Sequence, residues 1–424
     1  MAENWRRYQE SLSAPSRRRR RRRAGLLVLP VLLFGGYTAA RVALHPAEAP
    51  PRAGSVEAPK WAVRPAEPRD LLAKIGSPRP VRSQAGTYEQ WVDGNRVVYT
   101  LEPSLQELAV SVLRKYRVPY GALVAVEPAT GRLIAMAEYS HEQPSLQEFC
   151  RRATYPAASL IKVVTASAAL EMGKAGPETV FHFSGSPYRL NPRKLSPAAA
   201  RTEGNAMTLG QALGASNNVV FAKVGADLVG AEKLEEKLRA FAFNRPIPLE
   251  IGLQPSQAVV PSDRYALGKT AAGFGEVRLS PVHAALIAAA VGNRGVMMQP
   301  RLVDHVEDAS GQTVYRSSAA TLAKCTSPEV AADLGRMMEN TVDRGTSRRV
   351  FSRYARKLSQ EVRVAGKTGS LNGDNPPGMY EWFIGFAPVE NPKIAVASLI
   401  VNHDLWHIKG TYVAQEVMKE FFGM

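Results

Sequence analysis

Pro156-Ala157-Ala158-Ser159-Leu160-Ile161-Lys162-Val163-Val164 is the stretch on which the reading of this 424-residue chain turns. Small and apolar residues continue through Thr165, Ala168, Ala169 and Leu170 without Gly or Pro, which predicts a buried helix of good helix formers. Ser159 and Lys162 are three apart, so a helix places them one turn apart on one face. The serine falls in the first turn after Pro156, where unpaired backbone N–H groups and the positive dipole end favour developing negative charge. A lysine forced into a dry site loses its proton readily. Ser159 is therefore a candidate nucleophile that needs no histidine, with Lys162 as its base. Without company, the same pair reads as a helix cap and a solvated amine.

Outward from that helix, strands are expected on both sides in sequence. Gln90-Trp91-Val92 and Arg96–Leu101 flank Asp93-Gly94, a hairpin signal. Ser104, with Glu107 three residues on, predicts a capped helix carrying Leu105, Leu108, Val112 and Leu113 at helical spacing. Strands over 122–127 and 132–137 are joined by Pro128-Ala129-Thr130-Gly131. Residues 173–290 read as mostly helical. Ser280-Pro281 and Ser327-Pro328-Glu329 then open two more helices. Strands over 380–386 and 393–401 and a helix over 412–422 close the chain. This order predicts an α+β fold: an antiparallel sheet built from N- and C-terminal strands and flanked by helices, plus an all-helical subdomain.

The net charge of +16 suggests nucleic-acid binding, but its distribution argues against it. Residues 1–44 hold ten arginines against two acids, half of the net charge, and the rest is spread over 380 residues with no basic groove. Arg17 to Arg23 abut a 17-residue apolar run, Ala24 to Ala40, which as a helix spans roughly 25 Å, enough for a short bilayer crossing. The charge bias puts the N-terminus in the cytoplasm and everything after Arg41 outside. A cleavable signal peptide is the competing reading. The long charged leader and the nearest cleavage-like site, Thr38-Ala39-Ala40, favour an uncleaved anchor. The expected organisation is a basic leader (1–23), a transmembrane anchor (24–40), a Pro-rich linker (41–85) and a folded domain (86–424). The two cysteines, Cys150 and Cys325, sit in no C-x-x-C or ligand-spaced pattern, so no metal is expected, and whether they pair stays open.

Two further clusters keep Ser159 and Lys162 company. In Ser216-Asn217-Asn218 a hydroxyl and an amide project from one turn, able to relay a proton and hold a substrate amide; the bland alternative is a turn bonded to its own backbone. In Ala365-Gly366-Lys367-Thr368-Gly369-Ser370, Gly369 lets a substrate backbone come close. Lys367 and Thr368 can hold a carboxylate, and the Ser370 N–H can donate to an oxyanion. A phosphate loop is rejected, because Glu361 stands where its first glycine belongs; Gly268-Lys269-Thr270 fails likewise at Asp263.

S-x-x-K, then S-x-N 57 residues on, then K-T-G 151 residues further is the set that marks penicillin-binding proteins and class A β-lactamases. The chain resembles the transpeptidase domain of penicillin-binding proteins. Glu127-Pro128-Ala129-Thr130-Gly131, Ala272-Gly273-Phe274-Gly275-Glu276, Gly345-Thr346-Ser347 and Trp382-Phe383-Ile384-Gly385-Phe386-Ala387-Pro388 extend the likeness from about Gly86 to the C-terminus. The resemblance implies that Ser159 is acylated, that Lys162 is its base and that Ser216 shuttles a proton to the leaving group. It places Asn218 on the substrate amide, Lys367 and Thr368 on the terminal carboxylate, and the Ser159 and Ser370 N–H groups in the oxyanion hole. The implied donor is the D-Ala-D-Ala end of a peptidoglycan stem peptide, passed to an amine on a neighbouring strand with no cofactor. β-Lactams mimic the donor.

Residues 45–85 are too short for a glycosyltransferase domain, which leaves glycan polymerisation to a partner glycosyltransferase. K-T-G is followed by Ser370, where Thr is commoner. A class A β-lactamase needs a deacylating Glu in E-x-x-L-N; Glu235 and Glu250 come near it, followed by Arg239 and Gln254 in the Asn position. A D,D-carboxypeptidase is chemically adjacent. A non-catalytic β-lactam or muropeptide sensor or scaffold is the alternative from another class, and three intact motifs weigh against it.

Overall fold

Helices cover both faces of the central sheet, which is why most of its strands read as largely apolar runs. The computed structural model describes residues 72, 74–76, 81–196, 204–403 and 407–424, within one compact unit of residues 67–424. The leader (1–23), the apolar run (24–40) and most of the linker (41–85) lie outside the described residues. Among the described residues, no helix is long and apolar enough to cross a membrane.

In chain order, β1 (Val81–Arg82), β2 (Tyr88–Val92) and β3 (Asn95–Tyr99) precede helix α1 (Pro103–Lys115), followed by β4 (Tyr120–Val126) and β5 (Leu133–Ser140). A 3-10 turn, Ala158–Leu160, leads into α2 (Ile161–Glu171). Helices α3 (Leu209–Gly214), α4 (Asn218–Lys223), α5 (Arg264–Ala272) and α6 (Pro281–Gly292) belong to the helical middle. Then come β6 (Val303–Glu307), β7 (Thr313–Arg316), α7 (Pro328–Asp343), β8 (Ala365–Asp374), β9 (Pro377–Ala387), β10 (Ile394–Asn402) and α8 (Gly410–Phe421).

The central sheet has the order β8-β9-β10-β4-β5, antiparallel throughout, and so draws on both ends of the fold. Successive side chains of a strand point to opposite faces. Trp382 and Ile384 of β9 accordingly pack into the cluster that holds α2 and α6, while Phe383 packs with α1 and α8. All nine residues of β10 are buried. Ser280 and Ser327 cap α6 and α7 as their sequences predict, accepting from the His283 and Val330 N–H groups. Ser104 does not cap α1. Pro103 is already the first helical residue and Glu102 the extended residue before it, because proline needs no N–H donor there and its φ is preset.

The hairpin β2–β3 turns through Asp93 and Gly94, both at positive φ. It joins a second sheet, β1-β2-β3-β6-β7, and not the central one. Strand β1 pairs with β2 at Val81↔Glu89, so regular structure reaches into the stretch assigned to the linker. Among the strand pairings within residues 173–290 is the short pair Val180–Phe183 with Asn205–Thr208, so the subdomain is not all-helical. Cys150 and Cys325 are both buried as free thiols.

Candidate active site

Helix α2 is buried from Ile161 through Leu170, with Lys162, Thr165 and Ser167 among the buried residues. A helix apolar all round belongs in the middle of a fold, and burying each of its large aliphatic side chains stabilises by roughly 1.5–3 kcal/mol. That packing offsets the cost of holding an amine there. The turn carrying Ser159 is clamped on three sides. The Trp382 indole N–H donates to the Pro156 carbonyl (2.9 Å), and the Ala157 N–H donates to the Val277 carbonyl (3.0 Å). Gly369 of β8 comes so close that a Cβ there would lie 3.3 Å from the Ala158 Cβ. Gly273, at φ +101°, closes the third side, since a Cβ there would fall 2.3 Å from the Ala158 carbonyl oxygen.

Lys162 is fully buried. Its Nζ lies 2.7 Å from Ser159 Oγ, 2.7 Å from Asn218 Oδ1, 2.9 Å from the Ala272 carbonyl oxygen and 3.5 Å from Ser216 Oγ. Burial, and then the Lys367 charge, hold its pKa well below the usual lysine value. A neutral amine has two hydrogens and one lone pair. The two acceptor-only oxygens, of Asn218 and Ala272, take the hydrogens, which leaves the lone pair for the Ser159 hydroxyl. Neutral Lys162 is thus already arranged to receive the serine proton.

Ser216 occupies the turn between α3 and α4 at φ +57°, which puts its hydroxyl between two lysines. The nearer is Lys367, whose Nζ donates to Ser216 Oγ at 2.9 Å and to the Thr368 carbonyl at 2.7 Å. The three-residue cluster divides its labour. Asn217 takes the ordinary capping role, its Oδ1 accepting from the Val219 and Val220 N–H groups, while Ser216 and Asn218 face Lys162. Asn218 also donates from Nδ2 to the Tyr188 carbonyl (2.8 Å). These two contacts fix the orientation of the Asn218 amide beside Lys162.

Lys367 is as buried as Lys162, and burial pushes its pKa down to about 7. Thr368 Oγ1 lies 2.5 Å from Thr346 Oγ1. Thr346 reaches it because Gly345 packs on the end of α3, where a Cβ would fall 2.1 Å from the Gly214 carbonyl oxygen. Ser370 is half-buried on β8, opposite Glu381 of β9. The structure therefore brings Ser159, Lys162, Ser216, Asn218 and Lys367 into one hydrogen-bonded group, with Thr368, Gly369 and Ser370 along the adjoining strand. Sequence reasoning gave no role to Thr346 or to the Ala272 carbonyl. The Gly345-Thr346-Ser347 stretch was the available signal for the first; a backbone carbonyl leaves none.

Neither candidate for a deacylating carboxylate stands in this group. Glu250 accepts from the Leu302 and Val303 N–H groups (3.0 and 3.3 Å), and Glu235 pairs with Arg239 (3.0 Å). Among the described residues, no cluster of His, Cys, Asp and Glu could hold a metal ion.

The chain is similar to known proteins over most of its length. The peptidoglycan D,D-transpeptidase PbpA of Mycolicibacterium smegmatis is 28% identical over 352 residues, 72% of this chain and 67% of that protein. The D,D-transpeptidase domain of a peptidoglycan glycosyltransferase from Eggerthella lenta superposes with a TM-score of 0.65 at 26% identity, covering 81% of this chain and 95% of that one. Penicillin-binding protein A from M. tuberculosis, solved as a ceftriaxone acyl-enzyme complex, gives a TM-score of 0.61 at 25% identity over 76% of this chain and 79% of that one. Residues 121–423 match the penicillin binding protein transpeptidase domain, and the chain belongs to that family.

Proposed function

We propose that this chain is a serine-type peptidoglycan D,D-transpeptidase with Ser159 as its nucleophile. The observation that carries the reading is the buried Lys162 amine, its Nζ 2.7 Å from both Ser159 Oγ and Asn218 Oδ1 and 2.9 Å from the Ala272 carbonyl oxygen. Lys162 takes the serine proton as Oγ attacks the carbonyl of the penultimate D-Ala. The Ser159 and Ser370 backbone N–H groups hold the oxyanion. Ser216, between Lys162 and Lys367, passes a proton to the departing D-Ala amine. The acyl-serine then reacts in reverse with an acceptor amine, which returns its proton by the same route. Lys367 and Thr368 hold the donor carboxylate, with Gly369 letting the donor backbone lie along β8. β-Lactams, which mimic that donor, inhibit by acylating Ser159.

The basic leader and the apolar run 24–40 support a single-pass anchor in the bacterial cytoplasmic membrane, with the domain on the outer face and a separate glycosyltransferase supplying glycan strands. The test is intact mass of the full-length protein in detergent after mixing with a fluorescent penicillin. A persistent adduct is expected on the wild type and none on Ser159→Ala. Rapid turnover of the adduct would replace this reading with a β-lactamase. Stem peptide with and without an acceptor amine then separates cross-linking from carboxypeptidase release of D-Ala.

A further inference from the structure

Glu381 interrupts the apolar run Tyr380-Glu381-Trp382-Phe383 at a position that is 4% exposed. A buried carboxyl is costly where an apolar residue would pack, so a position that breaks the local rule invites a functional explanation. Its surroundings supply one. Glu381 stands directly across the ladder from Ser370, whose hydroxyl is among the groups that pull the carboxyl's pKa down against burial. Its Oε1 lies 3.8 Å from Lys409 Nζ, and its Oε2 is buried with no hydrogen-bond partner. The first residue of α8 closes over it, since a Cβ on Gly410 would fall 2.8 Å from the Glu381 carbonyl oxygen.

We propose that Glu381 is a positioning residue whose carboxyl group decides which way the Ser370 hydroxyl donates, and through it how firmly the anionic end of the acyl donor is held. This inference rests on the transpeptidase reading above and assigns that site a new member. An ionised carboxylate only accepts, so Ser370 must spend its O–H inward on Glu381. A protonated carboxyl has a hydrogen of its own to give to Ser370 Oγ, which releases the serine O–H to donate outward. Ser370 is placed for this on β8, the outermost strand of the central sheet. Burial raises the carboxyl to about 7, against the opposing pull of Lys409 and Ser370. The groups that face it are Ser370 from β8, Ile400 from β10, which does not titrate, and the charged Lys409 from the segment entering α8.

The experiment follows the second-order acylation rate of full-length protein by a carboxylate-bearing fluorescent penicillin from pH 5.5 to 8.5, for wild type, E381Q, S370A and the double variant. Lys367 titrates in the same range, so the readout is the ratio of wild-type to E381Q rates, in which the Lys367 step divides out. That ratio is expected to fall about tenfold as pH rises, because the amide introduced by E381Q keeps an N–H for Ser370 at every pH. In the S370A background, adding E381Q should leave the profile unchanged. A ratio that stays flat with pH overturns the proposal, as does an E381Q effect that persists without the Ser370 hydroxyl. If E381Q fails to fold, the wild-type to S370A ratio must carry the same step or the proposal fails. No adduct on wild type at any pH would sink the transpeptidase reading itself, a result distinct from these.

Discussion

The buried helix that carries Lys162 and the outer strand that carries Lys367 hold the same side chain at the same burial, yet they prepare it for different work. Lys162 meets two acceptor-only oxygens and the Ser159 hydroxyl, and its pKa is depressed by burial and further by Lys367. Lys367 meets one hydroxyl and the carbonyl of its own neighbour, and its pKa comes to rest at about 7 through burial alone. Burial lowers both, and the charge of Lys367 lowers Lys162 further. One lysine is a standing base. The other sits near its titration point, ready to gain charge when an anionic donor arrives.

The largest expected effect breaks this comparison at the helix. Lys162→Met should lower acylation by about a thousandfold, the range of a lost general base, while circular dichroism and the melting midpoint remain those of a folded protein. If Lys367→Met costs more acylation than Lys162→Met, the two roles have been assigned the wrong way round.

Lys367→Met comes next, with about a hundredfold loss for carboxylate-bearing β-lactams, as for a charged hydrogen-bond partner removed. Its stability signature has a definite sign. The folded-state pKa of about 7 lies below the ordinary 10.5, so between those values the unfolded chain binds a proton that the folded chain does not. The lysine's contribution is therefore fully present above about 10.5 and is lost as pH falls toward 7. Lys367→Met should melt higher than wild type near pH 7, by about 2–4 °C, and the gap should narrow as pH rises toward about 10.5. A variant that melts lower at every pH would make Lys367 a structural strut.

Much of this site was legible because its chemistry is local in sequence. A three-residue spacing on a helix fixes Ser159 against Lys162, and one turn presents Ser216 and Asn218 together. The long strands β9 and β10 were legible for a different reason, their mostly apolar runs. Strands β6 and β7 were not. They are short, and β6 is held to the hairpin partly by charge, Arg96 bonding Glu89 at 2.7 Å and Glu307 at 2.8 Å. Cross-strand ion pairs stabilise a sheet without leaving the apolar alternation that a sequence reading looks for. The Ala272 carbonyl was out of reach because any residue would supply the same oxygen; only the requirement for glycine next to it, at Gly273, marks the place.

The smallest effect tests whether the outer strand works alone. Thr346 comes from the loop after α7, and its exposed hydroxyl lies 2.5 Å from that of Thr368. Thr346→Val keeps the shape and removes one neutral hydrogen bond, so acylation by carboxylate-bearing β-lactams should fall by about three- to tenfold. Because the position is exposed, the melting midpoint should not move. Thr368→Val should cost at least as much, and the double variant no more than Thr368→Val if the first hydroxyl acts only through the second. Additive losses would mean that Thr346 meets the donor itself. In that case the carboxylate is gripped from two separate elements, and the contrast between helix and strand widens to include the loop that Gly345 presses onto α3.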